Sequence, residues 1–141
     1  MKQSTWDKLD EQFSEFPFMK ADPVSIEELL NAEKKLDVEF CEDYKKFVEK
    51  YGGAIVGAYP IYGVRHAEPM DDSLWSVVDV TLHYRNEGWP EAEHLYVVSS
   101  DHSDNPIGIT SNGHVITYDH DIGESVILAD SFEGYLLKCM S

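Results

Sequence analysis

Apolar residues return every third or fourth position along the first fifty residues, and at shorter, strand-like intervals along much of the remainder. Trp6, Leu9, Phe13 and Phe16 keep helical spacing until Pro17 stops it. After Pro23, Ser25-Ile26-Glu27-Glu28 has the form of a capping box, in which the serine hydroxyl and the Glu28 carboxylate satisfy free backbone N–H groups. The helix it opens is expected to bury Ile26, Leu29, Leu30 and Leu36. A third helix should gather Phe40, Tyr44, Phe47, Val48 and Tyr51 on one face. Gly52-Gly53 ends it, because glycine takes the left-handed conformation without a Cβ clash.

Residues 54–64 then read as extended chain interrupted by glycine and by Pro60. Residues 74–87 fit two periods. Leu74, Trp75, Val78 and Leu82 suit a helix, whereas Val78, Val80, Leu82 and Tyr84 alternate like a strand. Length and a possible Ser73 cap favour helix. Leu95 to Val98 form a strand; Ile107 and Ile109, Asn112-Gly113, and Val115 to Tyr118 form a hairpin with an expected type I′ turn. Val126-Ile127-Leu128 makes a further strand, and Asp130-Ser131-Phe132-Glu133 caps a last helix with Phe132, Leu136, Leu137 and Met140 inward. The expected fold is α+β: one domain over residues 1–141, a mostly antiparallel twisted sheet with N-terminal helices and a closing C-terminal helix.

The bulk composition agrees. A chain of 141 residues can bury roughly 70% of its unfolded surface, and 43% apolar residues are too many for disorder. The first residues hold no apolar signal core, and no run approaches a membrane span. Cys41 and Cys139 are far apart and in no C-x-x-C arrangement, so they read as two buried thiols in a reducing compartment. A cytoplasmic location follows as the expectation.

Charge changes the picture more. Residues 1–50 carry 13 acids and 8 bases, whereas residues 51–141 carry 14 acids and only Arg65, Arg85 and Lys138. The net charge of −16 thus divides into −5 and −11. Such a surface repels nucleic acid and anionic membrane and attracts a basic protein.

Chemistry-bearing motifs fail their spacing tests. All 6 histidines follow residue 65, several beside acids, as in Asp101-His102-Ser103-Asp104-Asn105 and Asp119-His120-Asp121. Yet Gly123 stands where a calcium loop needs an oxygen ligand, and Asn105 runs into Pro106 rather than glycine. His66-Ala67-Glu68 lacks the P-C-x-x-C of a zinc deaminase. There is no G-x-S-x-G elbow and no phosphate-cradling glycine loop. Lys45, Lys46 and Lys50 read as the solvated face of the third helix, paired along it with Glu42, Asp43 and Glu49. No catalytic residue, metal or cofactor is expected.

What remains is an acidic surface bearing aromatic rings. Glu68, Asp71, Asp72, Asp101, Asp104, Asp119, Asp121 and Glu124 lie in expected loops, with Tyr59, Tyr62 and Trp89 near turns. Tyrosine and tryptophan are frequent anchors in protein interfaces. These eleven residues are the candidate partner-binding set.

The order of segments is similar to a known family. The capped helix from Ile26 to Leu36 leads into D-Y-x-x-F-V-x-x-Y-G-G (Asp43 to Gly53). Gly113 to His120 and the terminal D-S-F-E-x-x-L (Asp130 to Leu136) follow. Across roughly residues 20–138 this resembles the SUKH superfamily of cell-wall-assembly-regulator-like domains, leaving residues 1–17 as an extra N-terminal helix. Within it the chain looks like the YobK-type bacterial immunity proteins paired with LXG-type toxins. Many members carry Leu-Pro where this chain has Phe40-Cys41, which frees the third helix to begin earlier. The matched Glu33, Tyr44, Phe47, Gly52, Gly53 and Phe132 read as fold determinants. The resemblance implies a non-catalytic recognition scaffold that neutralises a cognate toxin, often a nuclease such as an RNase. A regulatory or scaffold module is the second reading, and a metal-dependent hydrolase using His102, Asp119 and His120 a remote third.

Overall fold

The capping box at Ser25 forms as expected. Ser25 Oγ accepts the Glu28 amide at 3.2 Å, and the Glu28 carboxylate accepts the Ser25 amide at 3.3 Å. The computed structural model describes residues 1–65, 76–89, 91–119 and 121–141. Among these residues the helices are α1 (Gln3–Glu15), α2 (Ile26–Leu36), α3 (Glu42–Tyr51), α4 (Val77–Asn86) and α5 (Phe132–Met140). A two-stranded antiparallel sheet pairs β1 (Ala54–Val56) with β2 (Tyr59–Ile61). A four-stranded antiparallel sheet runs in the order β3 (Leu95–Ser100), β4 (Pro106–Thr110), β5 (Val115–Asp119), β6 (Glu124–Ala129). The fold is α+β, as the pattern of periods implied.

Cross-strand partners share a face of the sheet. Tyr96, Ile109 and Val115 stand in one row, and Tyr96 packs on Phe40 and Tyr44 with ring centroids 4.8 and 5.6 Å apart. This face is the core, completed by Phe47 against Phe132 at 5.6 Å. Val97, Gly108, Ile116 and Ile127 form a row on the opposite face. There the chain between α4 and β3 folds back over the sheet, with Trp89, Ala92, Val97 and Ile116 lining one small pocket. Arg85 holds that return in place: its guanidinium donates to the carbonyls of Ala92 at 2.8 Å, Leu36 at 2.7 Å and Leu95 at 3.3 Å. One cation thereby also serves the negative C-terminal end of α2.

Several expectations are corrected by packing. On α2, Ile26 and Leu30 are 64% and 52% exposed, and Leu29, Ala32 and Leu36 are the buried set. The buried stripe keeps Leu29 and Leu36 of the expected set and takes Ala32 in place of Ile26 and Leu30. Phe16 is exposed beyond the end of α1, and Leu82 is exposed on α4, where Val77, Val78, Val80 and Thr81 face inward. The α4 cap is Ser76, whose hydroxyl accepts the Asp79 amide; Ser73, Leu74 and Trp75 lie outside the described residues. On α5 the buried residues are Phe132, Tyr135, Leu136 and Cys139, with Leu137 and Met140 half-buried. Cys41 is half-buried rather than buried, and both cysteines are free thiols.

The hairpin turn also differs. Only Gly113 has a positive φ, +85°, while a type I′ turn needs one at Asn112 too. The Gly113 amide donates to the Thr110 carbonyl and the Thr110 amide to the His114 carbonyl, both at 2.9 Å. This is a three-residue loop, with the single left-handed glycine closing it. The missing Leu-Pro does not lengthen α3, which begins at Glu42. The Phe40 amide is taken by the Glu33 carboxylate at 2.7 Å and the Cys41 amide by the Tyr96 hydroxyl at 2.8 Å. Both amides are therefore held by side chains from elsewhere in the fold. Lys50 likewise leaves its own helix to meet Asp10 of α1 at 3.1 Å, over the Trp6 ring.

The glycines after α3 set how closely two segments approach. A Cβ on Gly63 would stand 1.6 Å from the Gly52 carbonyl oxygen, which no side-chain motion can relieve. Gly134 in α5 has only ordinary contacts, 3.4 Å or more. Gly63→Ala is thus expected to abolish cooperative folding. Gly134→Ala should stabilise by about 0.5–1 kcal/mol through helix propensity. Urea denaturation of the two variants checks the pair.

Candidate functional site

Strand direction decides which acids come together. β3 ends where β4 begins, and β5 ends where β6 begins; the pairing Ile107 with Thr117 puts both turns at the same end of the sheet. Asp101 and Asp104 lie in the first turn; Asp119 ends β5, Asp121 lies in the second turn, and Glu124 opens β6. The acids that the sequence distributes over 24 positions therefore share one end of the fold.

The acids divide by role. Asp101 builds its turn: Oδ1 accepts the Ser103 and Asn105 amides, both at 2.9 Å, and Oδ2 accepts the Asn105 side chain at 3.0 Å. Burial alone would raise its pKa, but the Asn105 and Ser103 hydrogen bonds outweigh this and hold it below the ordinary value. Asp104 takes a positive φ of +62° at the tip and is exposed. Asp119 Oδ1 accepts the Asp121 amide at 2.9 Å, and the Asp119 carbonyl accepts the Gly123 amide at 2.8 Å. Asp121 and Glu124 are exposed. The first aspartate of each turn shapes it, as Asx turns do, and those that follow present charge.

Aromatic rings flank this end. Tyr59 stacks on His102 at 4.7 Å and 24°. On the opposite face Trp89 stands edge-on between Tyr84 at 5.0 Å and Tyr118 at 5.4 Å. The Tyr84 hydroxyl reaches the Asp104 carbonyl at 3.4 Å; burial first, then nearby Tyr62 and Asp104, push its pKa up to about 12. Tyr62 is a correction to its expected place in a contact surface. It is 7% exposed, its hydroxyl lies 3.0 Å from Ser100 Oγ, and its carbonyl accepts the Tyr44 hydroxyl. Glu68, Asp71 and Asp72 lie outside the described residues, as does His120.

Sequence reasoning missed Glu91, Tyr84 and Tyr118. Glu91 sits at a positive φ of +64°, and its carboxylate accepts the Ser125 hydroxyl at 2.7 Å, joining the return segment to β6. No local signal marks a non-glycine residue for that conformation. Tyr84 and Tyr118 were legible only as members of an element, since their approach to Trp89 depends on how the return crosses the sheet.

The three bases of residues 51–141 are engaged elsewhere. Arg65 pairs with Glu28 at 2.8 Å and donates to the Pro23 carbonyl at 2.6 Å. Arg85 binds the three carbonyls already described, and Lys138 donates to the Leu128 carbonyl. Among the described residues, no group of three or more His, Cys, Asp and Glu side chains could hold a metal ion. None of the described helices is long and apolar enough to cross a membrane. Chemically, the sheet end can attract cations and offer flat rings beside them.

These features define an α+β domain with an acidic sheet end flanked by aromatic rings. The chain belongs to the SUKH_5 (SMI1-KNR4 cell-wall) family, which it matches over residues 4–141, α1 included. A crystal structure of a protein from Pseudomonas syringae pv. tomato is similar in fold, with a TM-score of 0.63. The two are 15% identical, over 82% of this chain and 81% of that one. No curated protein matches the sequence.

The Asp101 network yields a test. Asp101→Ala removes three hydrogen bonds to a carboxylate and is expected to cost about 1–3 kcal/mol at pH 7. Because the folded-state pKa is depressed, this stabilisation is complete above the unfolded value and is lost as pH falls through the folded one. The gap between variant and parent in urea denaturation should therefore close on acidification.

Proposed function

We propose that this protein is an immunity protein that binds and neutralises a basic toxin domain, an LXG-type toxin whose toxic domain is a nuclease such as an RNase. Membership of the SUKH_5 family supports a protein-recognition role. The observation that carries the choice of partner is the gathering of Asp101, Asp104, Asp119, Asp121 and Glu124 at one end of the sheet. A nuclease must be basic to hold a polyanion, so an acidic inhibitor competes for that surface and is steered towards it. In this reading Tyr59 and Trp89, with Tyr84 and Tyr118, supply the apolar contact beside the charges. Glu68, Asp71 and Asp72 belong to the same acidic set by sequence. The protein acts by occupying a surface in the cytoplasm, with no bond made or broken.

The test is association with the C-terminal domain of the neighbouring gene's product, followed by stopped-flow mixing. The rate constant is expected to fall roughly tenfold or more between about 20 and 200 mM salt, since screening removes the long-range attraction. Asp104→Lys with Asp121→Lys should slow association further, both side chains being exposed. Rates indifferent to salt and to both substitutions would end the steering account. Co-expression separates this reading from a regulatory scaffold, because only an immunity protein restores growth to cells making the toxin domain.

A further inference from the structure

An edge strand leaves a row of backbone N–H and C=O groups unpaired, and proteins commonly protect such edges with lysine, proline, bulges or a covering element. β3 is protected in these ways. The Tyr62 amide donates to the Val98 carbonyl at 2.7 Å, and the Val97 amide to the Thr81 hydroxyl of α4 at 2.8 Å. β6 is different. It pairs only with β5 among the described residues, and its residues 124–127 (Glu-Ser-Val-Ile) contain neither lysine nor proline. Ile127 is 61% exposed and Val126 41%, and Ile122 in the preceding turn is also exposed. The ladder is irregular at the far end: Val115 faces Ala129 and Ile116 faces Ile127, so Leu128 bulges out. Lys138 holds the bulged carbonyl. The bulge thus closes the strand beyond Ile127. Among the described residues the backbone edge from Glu124 to Ile127 has no further strand beside it, the Ser125 side chain alone being held by Glu91.

We infer that this open edge of β6 is where the partner docks, by adding an extended basic segment as a fifth strand. The inference rests on the reading of a basic protein partner and specifies how that partner is held. Charge complementarity chooses the occupant. Asp119, Asp121 and Glu124 stand at the start of the edge, followed by the apolar Val126 and Ile127. An incoming strand with lysine or arginine at one end and apolar residues at the other matches both parts. A second copy of this chain does not, because it would bring a net charge of −16 against another −16 and set acidic edge against acidic edge. Backbone hydrogen bonds would supply affinity and alternate side chains the register, as in other strand-addition complexes.

The probe is a synthetic eight-residue peptide with lysines in one half and valines in the other, titrated into isotope-labelled protein. Amide resonances of residues 124–127 are expected to shift, and their hydrogen exchange to slow by roughly tenfold as the new ladder forms. Ile127→Lys should weaken binding about tenfold, whereas Leu30→Lys, at an exposed apolar position on α2, should not change it. The same peptide methylated on alternate backbone nitrogens, which cannot pair as a strand, should bind at least tenfold more weakly. Equal binding of the methylated peptide, shifts confined to other surfaces, or no binding at millimolar peptide would each overturn strand addition. Those failures leave neutralisation untouched, since growth rescue and salt dependence judge it separately. A toxin domain that failed to bind would remove the neutralisation reading without altering the peptide result.

Discussion

Tyr44 ties several segments of this fold together through its ring and its hydroxyl. Its ring meets Phe40 and Phe132 edge-on at 5.2 and 5.6 Å and Tyr96 at 5.6 Å, so α3, β3 and α5 converge on it. Its hydroxyl donates to the Tyr62 carbonyl at 2.6 Å inside the core. Burial, with Cys41 nearby, raises its pKa well above the ordinary tyrosine value, so the donor proton stays in place. Edge-to-face pairs of this kind contribute about 0.5–1.5 kcal/mol each beyond burial. Tyr44 also has a geometric effect: it relates the end of β2 to β3, and β3 leads directly into the acidic turn at Asp101.

The position of the candidate site follows from that convergence. Tyr59 reaches His102 because β2 lies along β3, and the Tyr62 amide and Ser99 hydroxyl tie the two segments together. On the far face Arg85 anchors the return from α4 to β3, which carries Trp89 towards Tyr118 and Glu91 towards Ser125. Two rigid supports therefore flank one acidic end. The exposed acids themselves do little for the fold. They are held up by it, and their mutual repulsion is a cost of gathering them at one end.

Much of the architecture was legible because its signals are local. Ser25 and Glu28 announce a helix start, Gly52 and Gly53 a stop, and the α3 stripe from Phe40 to Tyr51 is buried throughout. On α2 the local pattern was insufficient. Ile26 and Leu30 look like core residues and are exposed, because which apolar positions of α2 face inward depends on where its neighbours lie. Tyr62 failed for the same reason in reverse. It sits near a turn in sequence, but its carbonyl and hydroxyl are drawn into the interior by Tyr44 and Ser100.

The sequence by itself determined the acidity, the α+β order of elements, and which aspartates could start turns, since each depends on a residue and its near neighbours. Tertiary structure alone decided that turns separated by a hairpin share one end of a sheet. It also decided that Trp89 lies between Tyr84 and Tyr118, and that β6 pairs with β5 alone among the described residues. These are consequences of strand pairing and chain return over long separations, and no short stretch of residues encodes such distances.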